Sequence, residues 1–224
     1  MPTILITGAG RGLGFELARQ YAHEGWRVIA TVRNAAAGAE LAKLRAQTIA
    51  VDVTDTAQVK QLSSQFKGVP IDVLFCNAGI MGKRGTALGS FDFAEWEKVL
   101  RVNLLGVAAV IEALIENVAA SERKTVAVMS SRLGSITETS GRTLPYSTSK
   151  AALNLLAKGL AATLAPRGII VAALSPGWVK TDMGGEAAPL IPETSVRGLR
   201  EVMGRLRRED SGKFLSYEGS SIPW

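Results

Sequence analysis

Thr3-Ile-Leu-Ile-Thr7-Gly-Ala-Gly-Arg-Gly-Leu-Gly14 is the stretch whose reading decides the fold. Its apolar half reads as a strand covered on both faces, and it passes without a linker into a glycine-rich turn. Residues 13–24, which follow, have helical spacing. Glycines let a backbone turn sharply and approach a pyrophosphate closely, while a helix N-terminus offers free N–H groups and a favourable dipole. The spacing Gly8, Gly12, Gly14 differs from the common G-x-G-x-x-G fingerprint, and such a loop alone is also simply a tight turn. Its place between first strand and first helix points to nucleotide binding.

The same alternation runs to the end of the chain. Strands are predicted at residues 3–7, 27–32, 48–53, 71–76, 125–130 and 169–174, with a weaker one at 213–216. Helical patterns occupy 13–24, 36–45, 57–66, 93–117, 146–164 and 195–208. Repeated β-α alternation implies right-handed crossovers. The fold class is therefore α/β: one Rossmann-type, doubly wound parallel sheet of about seven strands with helices on both faces. No repeat or long linker interrupts residues 1–224, which read as a single domain.

Composition narrows the function classes. With 47% hydrophobic and 21% charged residues, the chain can bury enough apolar surface to fold. Cys76 is the one cysteine, which excludes an intramolecular disulfide and a multi-cysteine metal site; no metal is expected. The one histidine, His23, lies in a helical stretch and reads as a surface residue, which argues against a histidine-based triad. The chain opens on a strand, without a basic segment and apolar signal core, and no run is long enough to span a bilayer. A cytoplasmic protein without a membrane partner is expected. The net charge of +6 comes from bases mixed with acids along the chain, with no basic arm, so no nucleic acid is expected. The densest basic patch, 197–208, carries Val196, Leu199, Val202, Met203 and Leu206 at helical spacing and reads as a surface helix with a solvated basic face.

Tyr146-Ser-Thr-Ser-Lys150 places a phenol and an ammonium four residues apart where a helix should begin. At that spacing the two share one helix face, about 5–6 Å apart at their β-carbons. A phenol titrates near pH ~10, and a nearby positive charge draws that value toward the working range. Such a pair can give a proton to a carbonyl oxygen or take one from an alcohol, which suggests redox chemistry at a C–O bond. Taken alone, the spacing also fits a surface tyrosine beside a solvated lysine.

Dinucleotide sites often carry an acid after the second strand to hold the ribose hydroxyls. Here the chain reads Thr31-Val-Arg33-Asn34, with no acid in place. Arg33, with Arg11 from the glycine loop, could form charge-assisted bonds to a 2′-phosphate, which favours NADP over NAD. The alternative is that Arg33 is an exposed loop charge.

Taken together, these residues make the chain resemble the short-chain dehydrogenase/reductase family over nearly its whole length. The loop Thr7–Gly14 matches T-G-x-x-x-G-x-G; Asp52-Val53 matches the pair that holds adenine, and Asn77-Ala78-Gly79 the N-A-G motif. Asn103 stands where the family has its helix asparagine. Ser130-Ser131 ends the fifth strand where the catalytic serine is expected, and either could be that serine. Tyr146 and Lys150 match Y-x-x-x-K, and Pro176-Gly177 with Thr181 matches the segment beside the nicotinamide. The short length and the ending Gly219-Ser-Ser-Ile-Pro-Trp224 are similar to the branch with sniffer-type carbonyl reductases and the bacterial C-factor.

The resemblance implies an NADPH-dependent carbonyl reductase acting on an aldehyde or ketone. Tyr146 is then the general acid or base, Lys150 depresses its pKa and holds the nicotinamide ribose, and Ser131 bonds the substrate oxygen. Asn103 holds a water that links Lys150 to solvent. The implied cofactor contacts are Gly8, Arg11, Gly12, Leu13, Gly14, Arg33, Asp52, Val53, Asn77, Ala78, Gly79, Tyr146, Lys150, Pro176, Gly177, Val179 and Thr181. An NADP-binding signalling protein with little turnover is the alternative, and an epimerase or dehydratase is a third reading. Trp178, Met183, Leu190 and Ile191 fall in the segment that should cover the pocket, and Leu133 and Leu144 flank the serine and tyrosine. An apolar carbonyl compound would suit them, though they could equally pack on the protein.

Two helical patterns are apolar nearly all round: Val99, Leu100, Val102, Leu104, Leu105, Val107, Val110, Ile111, Leu114 and Ile115, then Leu153, Leu155, Leu156, Leu160 and Leu164. One apolar face suffices on the outside of a sheet. The surplus suggests a homodimer about a two-fold axis through these helices, or its doubling to a homotetramer. A thick core or an overlying C-terminal segment is the alternative.

Overall fold

Ile4 and Ile6 are fully buried on one side of a sheet and Leu5 on the other. A strand without a wet face needs helices above and below it. The computed structural model describes residues 1–34, 38–84 and 87–224. In it the strands β1 (Thr3–Ile6), β2 (Arg27–Val32), β3 (Gln47–Ala50), β4 (Val73–Cys76), β5 (Thr125–Met129), β6 (Ile170–Ser175) and β7 (Phe214–Ser216) form one sheet. Their spatial order is β3-β2-β1-β4-β5-β6-β7, and every pairing is parallel.

The helices are α1 (Gly12–His23), α2 (Ala39–Lys43), α3 (Thr56–Gln65), α4 (Phe93–Leu100), α5 (Gly106–Ala119), α6 (Leu144–Leu164) and α7 (Pro192–Arg205). One face of the sheet is closed by α1 and α7 through Leu17, Tyr21, Val196 and Leu199. The other is closed by α3, α5 and α6 through Leu62, Val110, Leu114 and Leu153. The sheet's winding reverses between β1 and β4, and in such sheets ligands sit in the crevice beyond the carboxyl ends of the strands at that point.

The predicted elements are all present, with informative differences at their ends. The helix expected at 36–45 is observed as Ala39–Lys43, and its first two residues lie outside the described ones. The helix at 195–208 starts earlier, at Pro192, since proline has the right φ and no N–H to lose at a first turn. Its Val196, Leu199, Val202 and Met203 are buried. The largest difference lies in the helix expected at 93–117. A π-helical turn, Arg101–Leu105, separates α4 from α5 there. Gly106 follows at once and faces β3's exit loop so closely that a Cβ would stand 2.8 Å from Val53 Cγ2.

Most of the surplus apolar surface belongs to the core. In the first pattern only Leu105 is exposed, and in the second only Leu155. Val102, Ile115, Leu156 and Leu160 are half-buried against the core under α5 and α6. The C-terminal segment adds cover: Trp224 stacks on Phe214 with ring centroids 5.7 Å apart, and Lys158 Nζ lies 5.0 Å from the indole centre. The same segment closes the sheet edge. Ser216 donates to Ser220 and Ile222 to Phe214 through backbone bonds of 2.8 Å, so β7 does not present an open ladder.

Candidate active site

Thr7 and Asn77 build the crevice floor where the winding reverses. Thr7 Oγ1 accepts from the backbone N–H groups of Asn77 and Ala78 at 3.1 Å, and Asn77 Nδ2 donates to the carbonyls of Thr7 and Gly8 at 3.0 Å. The glycine loop and the Asn77-Ala78-Gly79 turn are thereby one unit. Gly8 sits at φ +67 with Ala78 so close that a Cβ would lie 2.8 Å from its Cα. Gly14 is tighter still, because a Cβ there would fall 2.3 Å from the Gly8 carbonyl oxygen.

Above this floor α1 begins without a side-chain cap and without an acid in its first turn. A helix start left free by side chains beside the glycine loop suits an anionic ligand. Leu13 faces inward to the core, so only backbone and Arg11 line the mouth there. Arg11 Nη1 pairs with Asp182 across the opening at 2.7 Å, but both side chains are about three-quarters exposed (76% and 78%), so the pair is weak. Arg33 is exposed just past β2. Asp52 accepts from Thr54, and Val53 beside it is buried. These groups fit a phosphorylated dinucleotide: open N–H groups for the pyrophosphate, two arginines at the rim, and no acid after β2.

The far bank is formed by the segment after β6. The Pro176 carbonyl accepts from buried Ser195 at 2.6 Å, Gly177 turns the chain at φ +80, and Val179 is buried in a bridge with Leu190. Thr181 comes to lie over the glycine loop, where a Cβ on Gly12 would stand 3.6 Å from its methyl. Trp178 donates from Nε1 to the Gly184 carbonyl at 2.9 Å while remaining exposed, which folds this segment back on itself.

Between the banks lie the candidate acid–base side chains. Tyr146 and Lys150 stand on the first turns of α6, 7% and 3% exposed. Lys150 Nζ donates to the Met129 carbonyl at 2.7 Å and lies 5.6 Å from the centre of the Tyr146 ring. Ser131 is the side chain that favours the Tyr146 phenolate, and its Oγ accepts from the Leu133 N–H at 3.2 Å. Ser130 points the other way and donates to Asn154 Oδ1 at 2.6 Å in a buried contact. Of the two candidate serines, Ser131 is the one that meets the phenol. Asn103, wholly buried in the π-helical turn, exchanges bonds with the Ile80 backbone at 2.8 and 2.9 Å and donates to Ser149 Oγ at 2.9 Å. Ser149 in turn donates to the Tyr146 carbonyl at 2.7 Å. The Asn103 amide thus braces the Gly79–Ile80 segment against α6.

One electrostatic expectation is corrected. Burial pushes the Tyr146 phenol up to about 12, and Ser131 only partly opposes this. Burial also pulls the Lys150 ammonium down to about 8. Desolvation therefore outweighs the attraction that would lower the phenol. Sequence reading also passed over Asn154, Ser149 and the Met129 carbonyl. Asn154 carried a signal, since it follows Lys150 by four residues on the same helix face; a backbone carbonyl carries none.

The lysine burial has a thermodynamic consequence. Lys150 ordinarily titrates near 10.5 and here near 8. Below pH ~8 both folded and unfolded chains hold the proton, and burial of the charge costs its full amount. Between about 8 and 10.5 the unfolded chain binds more protons, so stability contributed through this group rises with pH. Urea unfolding of the parent and of Lys150→Met should show the variant-minus-parent stability falling by on the order of 2–3 kcal/mol from pH 7 to pH 10. Parallel curves would mean that Lys150 does not titrate as a buried amine.

Known proteins resemble this chain in sequence and fold. The profile of the short chain dehydrogenase family matches residues 2–189. C-signal of Myxococcus xanthus is 40% identical over 156 residues, which cover 69% of this chain and 93% of that one. Carbonyl reductase Sniffer of D. melanogaster superposes with a TM-score of 0.93 at 31% identity, with full coverage of both chains. A short-chain dehydrogenase/reductase from Burkholderia multivorans, solved with bound NADP, superposes at 0.90 with 33% identity over 100% of this chain and 99% of that one. The chain belongs to the short chain dehydrogenase family of oxidoreductases.

Proposed function

We propose that this oxidoreductase is an NADPH-dependent carbonyl reductase, with residues 1–224 working as one unit around one crevice. The observation that carries the reading is the meeting of Tyr146, Ser131 and Lys150 opposite an uncapped α1 N-terminus. The bound nicotinamide cofactor supplies the hydride. Tyr146, uncharged at neutral pH, donates its proton to the carbonyl oxygen, and Ser131 orients that oxygen by a second hydrogen bond. Lys150 holds the cofactor ribose and the phenol side by side. Asn103 keeps α6 and the Gly79 turn in register. Relatives that carry NADP and a rim with Arg33, Arg11 and no acid support NADP(H) over NAD(H). Leu133, Trp178 and Ile191 are exposed near the crevice, which suits an apolar aldehyde or ketone.

A second reading, an NADP-binding signalling protein with little turnover, has one observation in its favour: the 40% identity to a protein named C-signal. Oxidation of NADPH against a panel of aldehydes, ketones and quinones separates the two. In the same assay Tyr146→Phe should keep cofactor binding and lose turnover by ~10²–10⁴-fold. Near-parental turnover in the variant would remove Tyr146 from the chemistry.

Cofactor choice has its own test. Arg33→Ala should weaken NADPH binding by roughly 1.5–3 kcal/mol while NADH binding stays unchanged. Equal losses for both cofactors would make Arg33 structural.

We also infer a homodimer, or a tetramer built from it, through the outward face of α6. Leu155 on that face is 73% exposed, and Leu105 on the adjoining π-helical turn is 58% exposed. Leu155→Arg should convert the dimer to monomer in sedimentation at micromolar concentration, because an unpaired charge is costly to bury. A monomeric parent would assign both leucines to ordinary exposed surface.

A further inference from the structure

We propose that Asn154 is the positioning residue that sets the Ser131 hydroxyl against Tyr146. The inference rests on the reading above, in which these two groups hold the substrate oxygen.

Ser131 lies beyond the end of β5, so the sheet ladder does not fix it. The last ladder contact is that of Ser130, whose N–H donates to the Leu174 carbonyl at 2.7 Å. After it the chain makes a short 3₁₀ turn, Arg132–Gly134, and leaves for the exposed loop before α6. Ser131 belongs to one element and Tyr146 to another, and bringing the two hydroxyls to one substrate oxygen needs both elements held at one spacing.

Asn154 supplies the tie. It is 3% exposed on α6, one helical turn after Lys150. Its Oδ1 accepts from Ser130 Oγ at 2.6 Å, and its Nδ2 donates to the Gly134 carbonyl at 3.2 Å. One planar amide therefore grips the residue before Ser131 and the residue three after it. Gly134 rests directly on α6, where a Cβ would come within 2.8 Å of Lys150's carbonyl carbon and Cβ. The Arg132 N–H donates to Ser175 Oγ at 3.0 Å and holds the outer side of the turn to β6. Ser131 is thus carried on a turn that Asn154 fastens to the same helix as Tyr146 and Lys150. An amide is suited to this: it offers one acceptor and one donor in a plane, whereas an ionised carboxylate only accepts.

The test uses Asn154→Ala and Asn154→Asp in the intact chain, read by crystal structures, melting temperature and steady-state kinetics with NADPH. In the alanine variant the Ser131 hydroxyl should move away from the Tyr146 hydroxyl relative to the parent. Its kcat should fall by up to ~10²-fold, the cost of misplacing a group by about 1 Å, while KM for NADPH stays within about twofold. The aspartate variant keeps the shape should alanine fail to fold. Protonated, its carboxylic acid restores both bonds; ionised, it loses the one to Gly134. Its kcat relative to the parent should therefore rise as pH is lowered, since burial holds its carboxyl pKa up.

An undisturbed Ser131–Tyr146 pair in the alanine variant, with parental kcat, would overturn the proposal. So would an aspartate variant whose relative kcat is flat with pH, or losses that only follow the folded fraction. A parent that reduces no carbonyl would instead defeat the functional reading, and the crystal structures would still decide the role of Asn154.

Discussion

A lysine ammonium buried between β5 and α6 is the constraint around which the site is organised. Lys150 is 3% exposed, and its Nζ is anchored on the Met129 carbonyl at 2.7 Å. A charge taken out of water must be offset by hydrogen bonds and must exclude bulk around it. The neighbours follow from that. A side chain at Gly79 would place its Cβ 3.5 Å from Nζ and 3.3 Å from Asn103 Oδ1, and one at Gly134 would strike the Lys150 backbone. The π-helical turn rotates Asn103 inward to hold the Gly79–Ile80 segment.

The same burial governs the acid–base character of the site. A phenol beside an ammonium invites the expectation of a lowered phenol pKa, yet both groups shift toward their neutral forms. Desolvation acts on each charge separately and grows with burial, while the ammonium lies 5.6 Å from the ring centre and is itself turned to a carbonyl. At neutral pH the phenol is a proton donor, the form that the proposed reduction requires. Ser131 is the one partner that opposes the upward shift, so the placement of that serine bears on both orientation and acidity.

The positive charge of the chain is distributed in the structure as its mixed sequence suggests. On α7, Arg200 crosses to α1, where it pairs with Glu24, donates from Nη1 to Gln20 Oε1 at 2.9 Å and lies 5.0 Å from the Tyr21 ring centre. That arginine fastens two helices on the face away from the reactive groups. Arg11 and Arg33 stay at the rim of the crevice, exposed, where an anionic ligand can reach them.

The fold was legible because parallel strands buried on both faces leave near-continuous apolar runs, and Thr3–Thr7 and 125–130 announce themselves in that way. The site was legible where chemistry demands a residue type at fixed spacing: the glycines of the loop, Asn77 and the Tyr146–Lys150 pair. In the loop, Gly8 and Gly14 are set by contacts too close for a Cβ and Gly12 by its positive φ, so they mark the chain plainly. The surplus of branched aliphatic residues in 93–117 and 146–164 could not be assigned from sequence, since core and interface ask for the same side chains; only the fold shows that, among the leucines, valines and isoleucines of the two patterns, Leu105 and Leu155 alone are exposed. Nor could composition choose between Ser130 and Ser131. Adjacent residues after a strand point to opposite sides, and which side holds Tyr146 depends on how α6 packs. The order of the elements and the spacing of Tyr146 and Lys150 on one helix face are local and periodic, and so were determined by the sequence alone. Their relative placement, the direction of each pKa shift and the tie through Asn154 arise between segments distant along the chain, and only tertiary packing decided them.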